Sequence, residues 1–143
     1  MSKIVLKSPV EHLPSVTLLT TTKSALAAAI PHDRIWQGVR LLDGKYWYVS
    51  HEDWGKVFAD VLQNMPRYTT DRFDCEDFAF LTKCRVTERF RINAFVIVTG
   101  LAPFGEHAWN WFYDELGWHQ FEPQSGEVGD IDSDGYISKW ILG

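Results

Sequence analysis

His107-Ala108-Trp109-Asn110-Trp111-Phe112-Tyr113, then Asp114-Glu115-Leu116-Gly117, then Trp118-His119-Gln120-Phe121-Glu122 is the stretch that decides the fold. The first seven residues have the aromatic composition of a strand. The next four read as a turn, and the last five as the return strand of a hairpin. A two-residue loop at Glu115 and Leu116 sets Tyr113 opposite Trp118, Trp111 opposite Gln120, Trp109 opposite Glu122 and His107 opposite Gln124. Alternation then places His107, Trp109, Glu122 and Gln124 on one face. Glu122 becomes the diagonal neighbour of His107, roughly 7 Å away between backbone positions. A three-residue loop would reverse the parity and separate the two.

Working outward, Ile92 to Val98 and Tyr136 to Leu142 read as further strands. Upstream, Phe73 to Arg89 reads as a helix with apolar residues spread around its axis, the pattern of a buried helix. Before it, Trp54, Val57, Phe58, Val61, Leu62 and Met65 make one apolar helical stripe. Ser50 is its expected N-cap, Glu52 and Asp53 follow in its first turn, and Pro66 ends it. Ile35 to Val49 reads as a hairpin about an Asp43-Gly44 turn. Thr21 to Ile30 reads as a short helix stopped before Pro31. Residues 1–20, with Pro9 and Pro14, read as an extended arm. Helices first and an antiparallel sheet after is an α+β pattern, and 143 residues fit a single domain over 1–143.

Composition narrows the function. A net charge of −5 opposes a nucleic-acid partner. The longest fully apolar stretch, Ala25 to Ile30, is too short to cross a membrane. No charged-then-apolar signal peptide opens the chain, so a reducing, cytoplasmic setting is the expectation. Two cysteines make no disulfide scaffold and no zinc spacing.

Cys75 stands at the start of the buried helix, in Phe73-Asp74-Cys75-Glu76-Asp77-Phe78. A helix N-terminus favours a thiolate and lowers a thiol's pKa. The plain alternative is a structural cysteine. Asp74, Glu76 and Asp77 oppose a thiolate unless they turn away or bind a cation. Cys84, nine residues on, points to the other side of the helix and is expected in the core. Glu122 could hold the His107 imidazole in one tautomer, as the acid of a catalytic triad does. The plain alternative is a structural histidine, and His12, His32, His51 and His119 are read that way. Asp130, Asp132 and Asp134 open like an EF-hand loop, but Ile141 stands where a bidentate glutamate is needed, and a polar turn is the plainer reading.

Asp74-Cys75-x-Asp77-Phe78-Ala79, His107-Ala108-Trp109-Asn110, Gly117-Trp118 and Glu122-Pro123-Gln124 together resemble the papain-like and transglutaminase-like cysteine proteases. Within these, the calcium-dependent protease domain of mushroom agglutinins, with its stand-alone bacterial and phage relatives, is the closer pattern. The resemblance implies a papain-like fold, with the nucleophile on a buried helix packed on an antiparallel sheet. It implies Cys75 as nucleophile, His107 as general base and acid, Glu122 as orienting acid, and Gln124 as a support residue. Gln37 is an oxyanion-hole candidate by residue type alone. Calcium or manganese is implied beside the site, with Asp74, Glu76 and Asp77 as the local acids that could hold it. The expected activity is a thiol peptidase or amidase acting on a peptide or amide substrate, in the cytoplasm or associated with a phage. Transglutaminase-type transfer and a non-catalytic cation-binding module are the alternatives.

Overall fold

The hairpin forms with the two-residue turn. In the computed structural model, which describes residues 12–31, 33, 35 and 37–143, the strands β5 (Gly105–Asp114) and β6 (Gly117–Glu122) pair antiparallel. Asp114 faces Gly117, Tyr113 faces Trp118, Trp111 faces Gln120 and Asn110 faces Phe121. Gly117 has φ +112°, a conformation that side chains strain, and the Leu116 N–H donates to Asp114 Oδ1 at 2.7 Å to close the turn.

In chain order, β1 (Leu19–Thr22), α1 (Lys23–Ala28), β2 (Gly38–Arg40), β3 (Lys45–Tyr48), α2 (His51–Val61) and α3 (Cys75–Phe90) precede β4 (Phe95–Ala102). After β5 and β6 come β7 (Glu127–Gly129) and β8 (Ile137–Leu142). Six strands form one sheet in the order β2-β8-β4-β5-β6-β7, and β1 pairs with β3 in a separate ribbon. The pair β2–β8 is parallel, so the larger sheet is mixed.

This corrects the expected α+β, papain-like or transglutaminase-like arrangement of helices first and an antiparallel sheet after. Among the described residues strands dominate, and a strand comes before every helix. The threonines read as the start of a helix extend instead as β1, where β-branched residues pack well against a partner strand. Ile35 to Val49 is not a hairpin. Its two strands go to different sheets, because Gly38–Arg40 finds Trp140–Leu142 and Lys45–Tyr48 finds β1.

The sheet is buried on both faces. On one, Trp109, Trp111, Trp118, Val96, Val98 and Ile141 pack with Leu26, Ile30 and Tyr46. On the other, Phe95, Phe112 and Phe121 pack with Trp54, Val57, Phe58 and Val61 of α2 and with Val86 and Phe90 of α3. A strand covered on both sides carries a near-continuous apolar run, which is why β5 is so aromatic. Asn110, fully buried in that run, donates to Ala79 O and Val96 O at 3.1 Å each, tying α3 to the sheet.

The helix α2 follows its stripe, with Ser50 accepting from the Asp53 N–H at 3.2 Å as N-cap. The helix α3 is less buried than its composition suggests. Phe78, Ala79, Thr82, Val86 and Phe90 face inward, whereas Phe80 is 48% exposed and Cys84 is exposed rather than in the core. Arg89 joins the two helices through two hydrogen bonds to Asp60, 2.6 and 2.9 Å long. Of the expected arm, residues 1–11 lie outside the described residues, and so does His32. Residues 12–18 are irregular, and the Thr17 N–H donates to Asp53 Oδ2 on α2. No helix among the described residues is long and apolar enough to cross a membrane.

Phe121 stacks on Phe58 with ring centroids 4.0 Å apart and is fully buried. Phe121→Ala should therefore lower the unfolding free energy by about 3–5 kcal/mol. Urea denaturation checks this, and a loss below about 1 kcal/mol would contradict the packing described.

Candidate functional site

The N-terminus of α3 meets the sheet at the edge of β5. Cys75 is the first residue of α3 and packs against Ala79, Ile97 and Ala108. On β5 the neighbouring residue His107 is buried, and its Nε2 lies 2.7 Å from Glu122 Oε2. The hairpin register makes that contact, since it sets Glu122 diagonally across from His107 on the Trp109 face. Glu122 is held further. Its Oε2 accepts from the Tyr136 hydroxyl at 3.0 Å, and its Oε1 accepts from the Gln124 N–H at 3.1 Å.

Two clefts adjoin these residues. One, of about 510 Å3, is lined by Gln37, Cys75, Glu76, Thr99, Gly100, Glu106, His107, Ala108 and Lys139. The β4–β8 register shifts between Thr99 and Gly100. A Cβ at Gly100 would sit 2.0 Å from Ile137 O, so only glycine fits that close approach. The second cleft, of about 490 Å3, shares Cys75, Glu106 and His107 and adds Tyr68, Phe104 and Gln124.

The structure thus brings Cys75, His107, Glu122, Gln37 and Gln124 to one region. It also adds residues the sequence did not single out. Tyr136 follows the Asp134-Gly135 turn and reaches back to Glu122. Phe104, in the turn between β4 and β5, is 72% exposed with its ring 4.9 Å from that of His107. A large aromatic between Pro103 and Gly105 in a turn is the signal that would have found it.

The electrostatics differ from the expectation of an activated thiolate. Burial pushes the Cys75 thiol above its ordinary value. The Ala108 backbone hydrogen bond works against that rise, and the Glu76 and Asp74 carboxylates add to it. The thiol donates to Glu76 Oε2 at 3.4 Å. Burial and the Glu122 charge also push the Tyr136 phenol up.

The acidic residues divide. Asp74, Cys75 and Glu76 bring potential ligand atoms within 4.8 Å of one another. Asp74 Oδ1 is buried with no hydrogen-bond partner. Asp77 is turned to the backbone, where its Oδ2 accepts from the Asp74 N–H at 3.3 Å. In the C-terminal loop, Asp132 Oδ1 accepts from the Ser138 N–H and hydroxyl at 2.9 and 2.6 Å. Asp132 and Asp134 both have φ +55°, which suits a polar turn. Asp130, Asp132 and Asp134 form no converging set of three among the described residues.

Residues 46–128, more than half of the chain, match a family model described as Agglutinin C-terminal. Two solved structures share the fold. One is described as the PSL1a-E64 complex, with TM-score 0.74, 24% identity and coverage of 87% of this chain and 51% of that one. The other is Polyporus squamosus lectin bound to the human-type influenza-binding epitope Neu5Acα2-6Galβ1-4GlcNAc, with TM-score 0.69, 23% identity and coverage of 87% and 50%. This chain therefore spans about half the length of each. No curated protein matches it.

These similarities correct the expected identity. The matched family is that of an agglutinin domain, and the shared fold is that of part of a lectin rather than a papain-like or transglutaminase-like enzyme. The reading of a cysteine peptidase or amidase with a peptide or amide substrate gives way to an agglutinin-type domain, whose structural neighbour is described with a sugar epitope.

Cys84 is exposed and Cys75 only partly so. Iodoacetamide near neutral pH should therefore alkylate Cys84 ahead of Cys75, as read by peptide mass mapping. Faster labelling of Cys75 would show a stabilised thiolate there and overturn this description of the resting thiol.

Proposed function

We infer that this chain, which belongs to the Agglutinin C-terminal family, is a carbohydrate-binding domain whose ligand occupies the cleft between Tyr68 and Phe104. The observation that carries this is the lining of that cleft. Two exposed rings, Tyr68 at 54% and Phe104 at 72%, stand with Gln124, Glu106 and His107 around a cavity of about 490 Å3. Aromatic faces give a sugar's C–H surface an apolar platform. Amide, carboxylate and imidazole groups exchange hydrogen bonds with hydroxyls. Sites of this kind combine apolar walls with a few placed polar groups. The Glu122–His107–Tyr136 contacts fix the floor of the cleft, so that His107 meets a ligand in one orientation. Cys75 supplies a neutral wall beside it, and Gln37 and Lys139 extend the polar lining into the neighbouring cleft.

A divalent cation, calcium or manganese, belongs to the same proposal. The carboxylates of Asp74 and Glu76 are the oxygens such an ion takes. The unpartnered, buried Asp74 Oδ1 fits that use. A cation there would offset the negative charge at the start of α3 and steady the wall that Cys75 contributes.

Titration of the chain with a panel of neutral and sialylated oligosaccharides, followed by NMR, should shift the resonances of Phe104, His107 and Gln124. Phe104→Ala should weaken the best ligand about tenfold, equivalent to about 1.4 kcal/mol. Shifts confined to another face, or none with any glycan, would sink the proposal. Calorimetric titration with calcium should give one site that Asp74→Asn removes and Asp132→Asn leaves intact. Loss of that site on Asp132→Asn alone would move the metal to the C-terminal loop.

A further inference from the structure

A second cluster lies at the turn end of the hairpin, built from three elements. Asp114, the last residue of β5, has a side chain with no solvent exposure. His51, the first residue of α2, places its Nδ1 2.6 Å from Asp114 Oδ2. His119, on β6, places its Nε2 2.8 Å from Asp114 Oδ1. One buried carboxylate therefore takes an imidazole on each oxygen. The Leu116 N–H also donates to it.

We propose that His51, Asp114 and His119 form a binding site for zinc or a similar borderline divalent cation. Two imidazoles and one carboxylate are the donor set such an ion prefers, and calcium would not choose it. The potential ligand atoms all lie within 4.8 Å of one another. Ligands around a tetrahedral zinc with bonds of about 2.0 Å stand roughly 3.3 Å apart, so each ring nitrogen, now 2.6 or 2.8 Å from its carboxylate oxygen, backs away slightly to admit the ion. The more exposed member is His51, whose side chain is 51% exposed, whereas that of His119 is 15% exposed. His119 is already oriented, stacked on Phe112 with centroids 5.0 Å apart and planes 26° from parallel.

Charge favours the cation. Among the described residues no lysine or arginine pairs with Asp114, and the side chains that meet it are the two imidazoles. Burying a carboxylate is costly, and a divalent ion bound to it offsets that cost. On binding, the ion takes the place of a proton on each ring nitrogen that faces the carboxylate, and that proton passes to the other nitrogen of the ring or to solvent. The remaining positions open toward solvent on the His51 side. Such an ion ties the N-terminus of α2 to the hairpin turn, and it leaves a coordination position for water or for a donor from a partner.

The test uses the metal-free full chain and is independent of the sugar cleft. Cobalt(II) added in steps should give visible d–d bands of a low-coordinate site at one equivalent, bleached by zinc. Zinc alone should raise the thermal midpoint of unfolding. Asp114→Asn risks the fold, because the residue is buried, so the decisive variants are the exposed His51→Ala and the conservative His119→Gln. Each should weaken zinc binding at least 100-fold in calorimetry, while Cys75→Ser leaves it unchanged. Absence of binding, wild-type affinity in His51→Ala, or loss of binding in Cys75→Ser would each overturn the site.

Discussion

The two-residue turn between β5 and β6 is the constraint on which the rest depends. Side chains on a strand alternate with a period of two, so a slip of one residue at Glu115-Leu116 would exchange the faces of everything that follows. Gly117 at φ +112° and the Asp114 carboxylate over the Leu116 N–H hold the tight closure. From that register come the contact of His107 with Glu122, the meeting of Asp114 with His119, and the division of aromatic side chains between the two cores.

The central strand is costly to place, since both of its faces are covered. Its backbone groups are satisfied by β4 and β6. Its one buried amide, Asn110, is used to hold α3 through Ala79 O. That bond joins the helix bearing Cys75 to the strand bearing His107. The indole N–H groups of Trp109 and Trp111 find no partner among the described residues, so the core gives up some polar satisfaction for aromatic volume.

The candidate site and the cation cluster lie toward opposite ends of β5, and each ends in a carboxylate that receives a histidine. They differ in what surrounds the pair. At Glu122 the acid also receives a phenol and a backbone N–H, which leaves the imidazole facing a polar cleft. At Asp114 the acid receives a second imidazole instead, which makes a donor set for a metal. On the readings proposed above, the same local motif serves a small-ligand floor in one place and metal coordination in the other.

From the sequence one could read the local patterns: the helical stripe of α2 and its Ser50 cap, the hairpin and its register, and the diagonal approach of His107 to Glu122. These rest on periodicity and turn chemistry, which are short-range. The sequence could not show that the threonines before Lys23 extend, because their partner at Lys45–Tyr48 is distant in the chain. Nor could it show that β2 runs parallel to β8, or that Cys84 reaches the surface. His51 and His119 looked like structural histidines, since they stand 68 positions apart in the chain. Only folding α2 onto the hairpin brings their rings to 5.3 Å around one buried acid. The thiol of Cys75 makes the same point. A helix N-terminus by itself lowers a thiol's pKa, but burial and the carboxylates that the fold sets around it prevail and raise it, because desolvation is a property of the packed structure.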